Sequence, residues 1–461
     1  MNKDVHAFNA LSSRADLIDC NNADIVIDKS KLLAFYLPQF HRTVENSEWW
    51  GPGFTEWTNV AGGKPNFDGH YQPHIPRELG FYDLTHPDIM YEQAELAKLY
   101  GVHGFCFYHY WFSGRRILER PVENFLKSDI DIKFCLCWAN ENWTRTWSGD
   151  TKSVLLGQEY ADEDNQKFID SLVEYFSDPR YILVDGKPLL VVYRAKDIPD
   201  PSACFAIWRA LAVEKGFAGL HITVVDFYDI SDPSEVQADA LVEFPPHKFN
   251  GPQSIPTSMP VFTNPEFAGG VVDYTKVIAQ SARREKPSFK LYRGIIPSWD
   301  NTARRQNTPT TLINATPTLF GIWLRYLRAY TRENLPQNTE ESDNFIFINA
   351  WNEWGEGCHL EPDQKWGLGY LEEVLRSSYS VGEFPSATQE RELLYGLVAE
   401  EISVSQAAAK DEQSVESIVE SLREYKPVGN HAHKISMLLL KWPLGYKVAR
   451  AVYLLARRLR G

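Results

Sequence analysis

At 461 residues the chain exceeds the ~100–200 residues usual for one domain, but a (β/α)8 barrel of about 250 residues or more with insertions accommodates most of it. Acidic side chains outnumber basic ones by 61 to 47, for a formal net charge of -14, so the chain as a whole repels nucleic acid and no nucleic-acid partner is expected. Aromatic residues make up 13% of the chain, with 14 Trp and 22 Tyr; this surplus suits stacking on sugar rings, although core and surface filling also accounts for it.

Residues 1–29 read as a polar lead segment, without the basic start, apolar stretch and small-residue cleavage site of a secretory signal. Eight short β-branched and aromatic runs follow, at 32–37, 102–109, 132–138, 189–193, 220–225, 240–244, 291–296 and 345–350. Most gaps between them carry helical periodicity, as at 88–101 and 165–178, closed by Gly or Asp-Pro breakers. Alternating strand and helix predicts parallel strands with crossover helices. The runs are apolar on both faces, as strands covered by helices outside and packed side chains inside require.

An open doubly wound sheet shares that alternation. The strand count and the position of the polar aromatic residues favour closure: Tyr36, His109, Tyr110, Trp138, Tyr193, Trp299 and Trp351 cluster at the C-terminal ends of the runs, where a barrel gathers its chemistry around one mouth. The fold class predicted is therefore α/β, a (β/α)8 TIM barrel over 30–380, with an acidic helical extension at 381–429 and a basic amphipathic tail at 430–461. A Gly/Pro/Trp-rich loop at 42–85 is expected to cover the mouth.

The tail interleaves seven Lys/Arg with Leu, Ile, Val, Trp and Tyr. It suits either an anionic membrane leaflet or packing on the barrel or a partner subunit. Six cysteines without metal-type C-x-x-C spacing, mostly within apolar runs, point to a reduced cytoplasmic setting, at the inner face of the plasma membrane if the tail binds there.

The densest constellation is NAWNEWGEGCHLEPD at 349–363. Glu353 and Glu356, flanked by Trp351, Asn352 and Trp354, place two carboxylates in a setting able to desolvate them. Glycosidic cleavage needs a proton donor at the leaving oxygen and a second carboxylate as partner, and burial pushes the pKa values of such a pair apart. On an exposed helix, Glu-x-x-Glu is merely a solvated face. CWANENWTRTW at 137–147 offers Asn140, Glu141 and Asn142 between Trp138 and Trp143, the mixture of donors, acceptors and rings a sugar site needs. Glu141 is a rival candidate for the acid, and loop capping is the structural alternative. PSWDNTARR at 297–305 adds Trp299, Asp300, Arg304 and Arg305, an arginine pair able to meet a phosphate or an acidic sugar as readily as to pair Asp300. Glu56 and Trp57 in the mouth-covering loop complete the substrate-binding candidates.

Scattered histidines without H-E-x-x-H spacing give no reason to expect zinc, and His109 alone is expected to contact substrate. Asp129-Ile-Asp131 imitates a nucleotide-sugar metal motif but precedes the third strand, on the wrong face of a barrel. No glycine-rich phosphate loop follows a strand, so no cofactor is expected.

FYLPQFH (35–41), WWGPGFTEWTNV (49–60), GVHGFCFYHYWF (101–112), CWANENWTRTW, PSWDNTARR and NAWNEWGEGCHLEPD together resemble the WbsX-like proteins of bacterial surface-polysaccharide gene clusters, which are related to the endo-α-1,2-mannosidases of glycoside hydrolase family 99. The resemblance covers roughly residues 31–375. It implies that Glu353 assists the sugar 2-hydroxyl as base through a 1,2-anhydro intermediate, that Glu356 protonates the leaving oxygen, and that Tyr36 and the third-strand Trp/Asn cluster line the pocket. Gly355 stands where those hydrolases commonly carry His, and Cys358-His359-Leu360 replaces a more polar continuation, which detaches the substrate from theirs. The resemblance implies an oligosaccharide or polysaccharide partner and retaining cleavage or transfer in O-antigen or capsule metabolism. A nucleotide-sugar-dependent glycosyltransferase and a non-catalytic glycan-binding barrel are the alternatives.

Overall fold

The computed structural model describes residues 25–144, 154–161, 163–335 and 343–396; the basic tail and most of the expected acidic extension lie outside the described residues. Eight strands form the barrel: β1 Lys31–Tyr36, β2 Gly104–Phe112, β3 Lys133–Trp138, β4 Lys187–Val192, β5 His221–Val225, β6 Ala240–Val242, β7 Leu291–Ile295 and β8 Phe345–Ile348. Each pairs in parallel with the next, and β8 returns to β1, with Phe345 opposite Lys31 and Ile348 opposite Ala34. The ring is closed, as its eight apolar runs predict.

The outer layer comprises α1 Pro87–Leu99, α2 Arg120–Leu126, α3 Asp164–Phe176, α4 Pro201–Glu214, α5 Tyr274–Arg283, α6 Pro317–Asn334 and α7 Gly369–Ser377. Their starts are written locally. Proline opens α1, α4 and α6, where its missing N–H costs nothing. The side chains of Asp200 and Thr316 cap α4 and α6 by accepting from Ala203 N and Leu319 N. Between β5 and β6 the described chain makes only a 3-10 turn, Pro233–Val236.

Successive side chains of a strand point alternately into the barrel and out toward the helices. Phe35 points in: its ring meets Phe244, from the far side of the ring, at 4.9 Å and Tyr108 at 5.7 Å. Tyr36 therefore points out, and its hydroxyl donates to Gln93 Oε1 of α1 at 2.6 Å. Asp226 and Glu243, at the ends of β5 and β6, join an ionic network. Glu243 accepts from Arg293 Nε at 2.8 Å and Arg284 Nη1 at 2.9 Å, while Asp226 accepts from Arg284 at 2.6 Å and Lys248 at 2.5 Å. Among the described residues no helix is long and apolar enough to cross a membrane.

Candidate active site

The loop after β8 begins with Asn352, which is wholly buried. Its Oδ1 accepts from Leu37 N at 2.7 Å and its Nδ2 donates to Leu37 O at 3.0 Å, tying this loop to the end of β1. Asn352–Glu353 pairs antiparallel with Cys358–His359, and a 3-10 turn at Trp354–Glu356 reverses the chain between them. The turn presents Glu353 and Glu356 to the same guanidinium. Arg304 Nη2 lies 2.8 Å from Glu353 Oε1, Nη1 lies 3.0 Å from Glu356 Oε1, and Nε donates to Glu56 Oε1 at 2.7 Å.

Arg304 is almost enclosed, as are Glu56 and Glu353, whereas the Glu356 side chain keeps 24% of its surface open. Burial pushes Glu353 well above the ordinary carboxylate range; Arg304 opposes that rise, and Glu356 and Glu56 add to it. Glu356 rises for the same leading reason. Burial also works against the charge on Arg304, but its carboxylate neighbours hold its pKa well above the usual value. The pair rises while the arginine beside it also rises because one guanidinium, shared among three carboxylates, does not offset their desolvation and mutual repulsion. The second oxygen of Glu56 is buried with no hydrogen-bond partner among the described residues, an acceptor suited to a water or a sugar hydroxyl.

The same packing explains Gly355. A Cβ there would lie 2.2 Å from Glu56 Oε1 and 2.8 Å from Arg304 Nε, so the ion pair occupies the space a side chain would need. Gly355→His is expected to displace Arg304 and to cost about 1–3 kcal/mol through overpacking. Urea unfolding measures this, and an unchanged midpoint would exclude the arrangement.

Tyr110 faces the pair from β2, and its hydroxyl accepts from Gln39 Nε2 at 2.9 Å. Burial raises its pKa, with Glu353 contributing. Tyr193, after β4, packs against Tyr108 at 6.1 Å and Phe244 at 5.4 Å. It rises through burial, then through the charges of Glu141 and Glu356. Glu141 is exposed at the mouth yet crowded by protein atoms; desolvation, Asp197 and Glu356 push it up to about 7 against the pull of Arg194. The fold thus brings together Glu56, Tyr110, Glu141, Tyr193, Arg304, Glu353 and Glu356.

Other candidates support this group from outside it. Asn140 holds Arg194, accepting from its N at 2.8 Å and donating to its O at 2.9 Å. Asn142 Oδ1 accepts from Gln158 N at 2.6 Å, and Trp143 lies edge-on to Tyr110 at 5.3 Å. Trp57 donates to Tyr82 O at 2.7 Å and packs on Trp354, whose indole donates to Glu361 Oε2 at 2.6 Å. Asp300 does not pair with Arg304. Its N donates to Glu356 O at 2.6 Å, and its carboxylate takes His70 at 2.5 Å, Gln72 at 2.7 Å and Thr302 Oγ1 at 2.6 Å. Although burial opposes it, His70 and these hydrogen bonds keep the Asp300 pKa low. Trp299 is buried beside it, 6.4 Å from His247.

Four candidates point away from the mouth, correcting the expectation that they line it. Tyr36 bonds to α1, as described. His109 packs on Tyr175 of α3 at 5.7 Å, and burial lowers its pKa to about 3. Trp138 lies between Phe168 at 4.6 Å and Trp208 at 5.6 Å, and Trp351 is wholly buried on Phe105 at 5.2 Å. The physical reason is strand alternation: residues 36, 109 and 138 fall on the helix-facing register. His109→Leu is accordingly expected to leave substrate KM unchanged and to move stability by less than about 1.5 kcal/mol; a raised KM in steady-state assays would contradict this placement. Tyr108 and Gln39 are the inward residues that sequence reading missed. Cys106, Tyr108 and Tyr110 share one face of β2, which was the available signal.

Uncharacterized protein WxcX of Xanthomonas campestris pv. campestris is 42% identical over 342 residues, 74% of this chain and 48% of its own length, so the chain spans about half the length of this curated relative. Among solved structures, a glycoside hydrolase-like protein aligns with TM-score 0.48 at 14% identity, over 79% of this chain and 98% of its own. The GH99 endo-alpha-mannosidase from Bacteroides thetaiotaomicron aligns with TM-score 0.46 at 14% identity over the same shares, 79% and 98%. A family model described as Glycosyltransferase WbsX matches residues 32–374, and the chain belongs to that family.

Proposed function

We propose that the chain is a carbohydrate-active enzyme that cleaves or transfers glycosidic bonds of a bacterial surface polysaccharide with retention, using Glu353 and Glu356. The supporting observation is that both carboxyls hang from Arg304 at the C-terminal mouth of a closed barrel, with burial pushing both upward. A pair so coupled titrates as a unit. With one proton between them, such a pair supplies an acid and a base from adjacent residues. Glu356, the more open of the two, is assigned as donor to the leaving oxygen, and the enclosed Glu353 as base toward the neighbouring 2-hydroxyl. Closing the anhydro ring expels the protonated leaving group; opening it by water gives hydrolysis, and by a sugar hydroxyl gives transfer. Tyr110, Tyr193 and the free oxygen of Glu56 are assigned to substrate.

A second reading gives the proton donor to Glu141, because a carboxyl at about 7 is matched to acid catalysis at neutral pH. Product analysis with a panel of surface oligosaccharides, with and without nucleotide sugars, tests these roles. Cleavage without nucleotide that is lost in Glu356→Gln supports the proposal, and loss in Glu141→Gln instead moves the donor role. Extension only in the presence of a nucleotide sugar overturns it in favour of a nucleotide-dependent transferase. Binding without turnover in the wild type leaves a glycan-binding barrel.

A further inference from the structure

Behind the candidate active site, two histidines and an aspartate far apart in sequence converge in a buried cluster. We propose that His74, His359 and Asp363 bind a divalent transition-metal ion of the zinc class, with a further coordination position open to the adjoining cavity.

All three residues are buried, and one donor atom from each lies within 4.8 Å of the others. His359 Nδ1 sits 2.9 Å from Glu361 O. A carbonyl only accepts, so the proton is on Nδ1 and the lone pair of His359 is on Nε2. That is the arrangement of a metal-ligating histidine, whose remote nitrogen is oriented by a backbone carbonyl. His359 Nε2 faces His74 Nδ1 at 2.9 Å and Asp363 Oδ2 at 4.0 Å.

Tetrahedral zinc with bonds of about 2.0–2.2 Å sets its ligand atoms roughly 3.3 Å apart. The two nitrogens must therefore open by about 0.4 Å, while the carboxylate closes by about 0.7 Å on His359 and by up to about 1.5 Å on His74, a movement within reach of a side-chain rotation. Supporting contacts already fix the orientations. Trp354 stacks on the His359 ring at 3.7 Å, and Trp366 N holds Asp363 Oδ1 at 2.6 Å, leaving Oδ2 toward the histidines. A cavity of about 280 Å3 borders the cluster and is lined in part by His74, Asp363 and Trp366, so an ion has an entry path and room for a bound water. Two imidazoles, a carboxylate and an open position form a set that zinc accepts. Without metal, a proton shared between the two rings fills the gap. With metal, His74 carries that proton on Nε2 instead, and the loop after β1 is stapled to the turn that carries Glu353 and Glu356.

The full chain, stripped with chelator and dialysed against Zn2+ or Co2+, is expected to retain about one ion per chain, with the visible d–d absorption of low-coordinate cobalt. Asp363→Asn should weaken retention about ten-fold or more, and His74→Gln should abolish it. Anomalous scattering at the zinc edge locates the ion in the wild type even where a variant fails to fold. Density between His74 and His359 sustains the proposal. No retained ion in the wild type, an ion located elsewhere, or binding unchanged in both folded variants overturns it and leaves a hydrogen-bonded histidine pair.

Discussion

Glu356→Gln is expected to lower turnover about 100- to 10,000-fold, the contribution of a positioned proton donor, while raising stability at neutral and alkaline pH. Glutamine keeps an oxygen for Arg304 Nη1 but gives up both proton and charge. Burial raises the folded-state pKa of Glu356 above its ordinary value of 4.5. The folded protein then binds that proton more tightly than the unfolded chain, and the group lowers stability as pH rises above 4.5 toward its folded value. Glutamine removes this loss, so the melting temperature of the variant should exceed that of the wild type at pH 8 and converge with it near pH 4, at about 1 °C per kcal/mol. Melting curves across pH combined with turnover on a cleaved oligosaccharide measure both effects. A variant that loses activity and is equally destabilised at every pH would mark Glu356 as a structural residue instead.

Arg304→Met should have the largest effect on folding. It leaves Glu56, Glu353 and Glu356 converging in a space from which only Glu356 reaches solvent appreciably, and uncompensated buried charge costs about 3–5 kcal/mol. The penalty must depend on pH. Without the guanidinium the folded-state pKa values of Glu353 and Glu356 rise further, so stability falls as pH rises above the ordinary carboxylate range. Urea midpoints close to wild type near pH 4 and far below it at pH 8 are the expected pattern. A pH-independent loss would indicate missing packing volume rather than charge.

The barrel was legible in the sequence because closure imposes eight short runs at spacings that only crossover connections span, and the chain writes those runs in Val, Ile, Phe and Cys. The face each residue takes was not. In β2, GFCFYHYWF is apolar or aromatic at nearly every position, so no polar alternation marks which half points inward, and His109 attracts attention simply by being polar. Its neighbours on α3 decide its role, and they lie about 60 residues downstream. Glu353, Glu356 and Arg304 stand out in their motifs, but their sharing of one guanidinium with Glu56 depends on the β1, β7 and β8 loops meeting in space. His74 and His359 are 285 positions apart, which no spacing rule detects. The single turn between β5 and β6 reflects the shortness of that connection, which leaves no room for a full crossover helix.

The sharing of one guanidinium by three carboxylates also sets what the proposed active site would bind. Even with one proton aboard, the cluster carries more negative than positive charge, and it is walled by aromatic rings rather than by bulk water. Such a site discriminates by charge before shape: it disfavours an anionic sugar and favours a ring bearing positive charge, whether the fleeting oxocarbenium character of a glycosidic transition state or the permanent charge of a protonated nitrogen in its place. A basic sugar mimic should therefore outbind its neutral isostere here, with an affinity that follows the ionisation of the cluster.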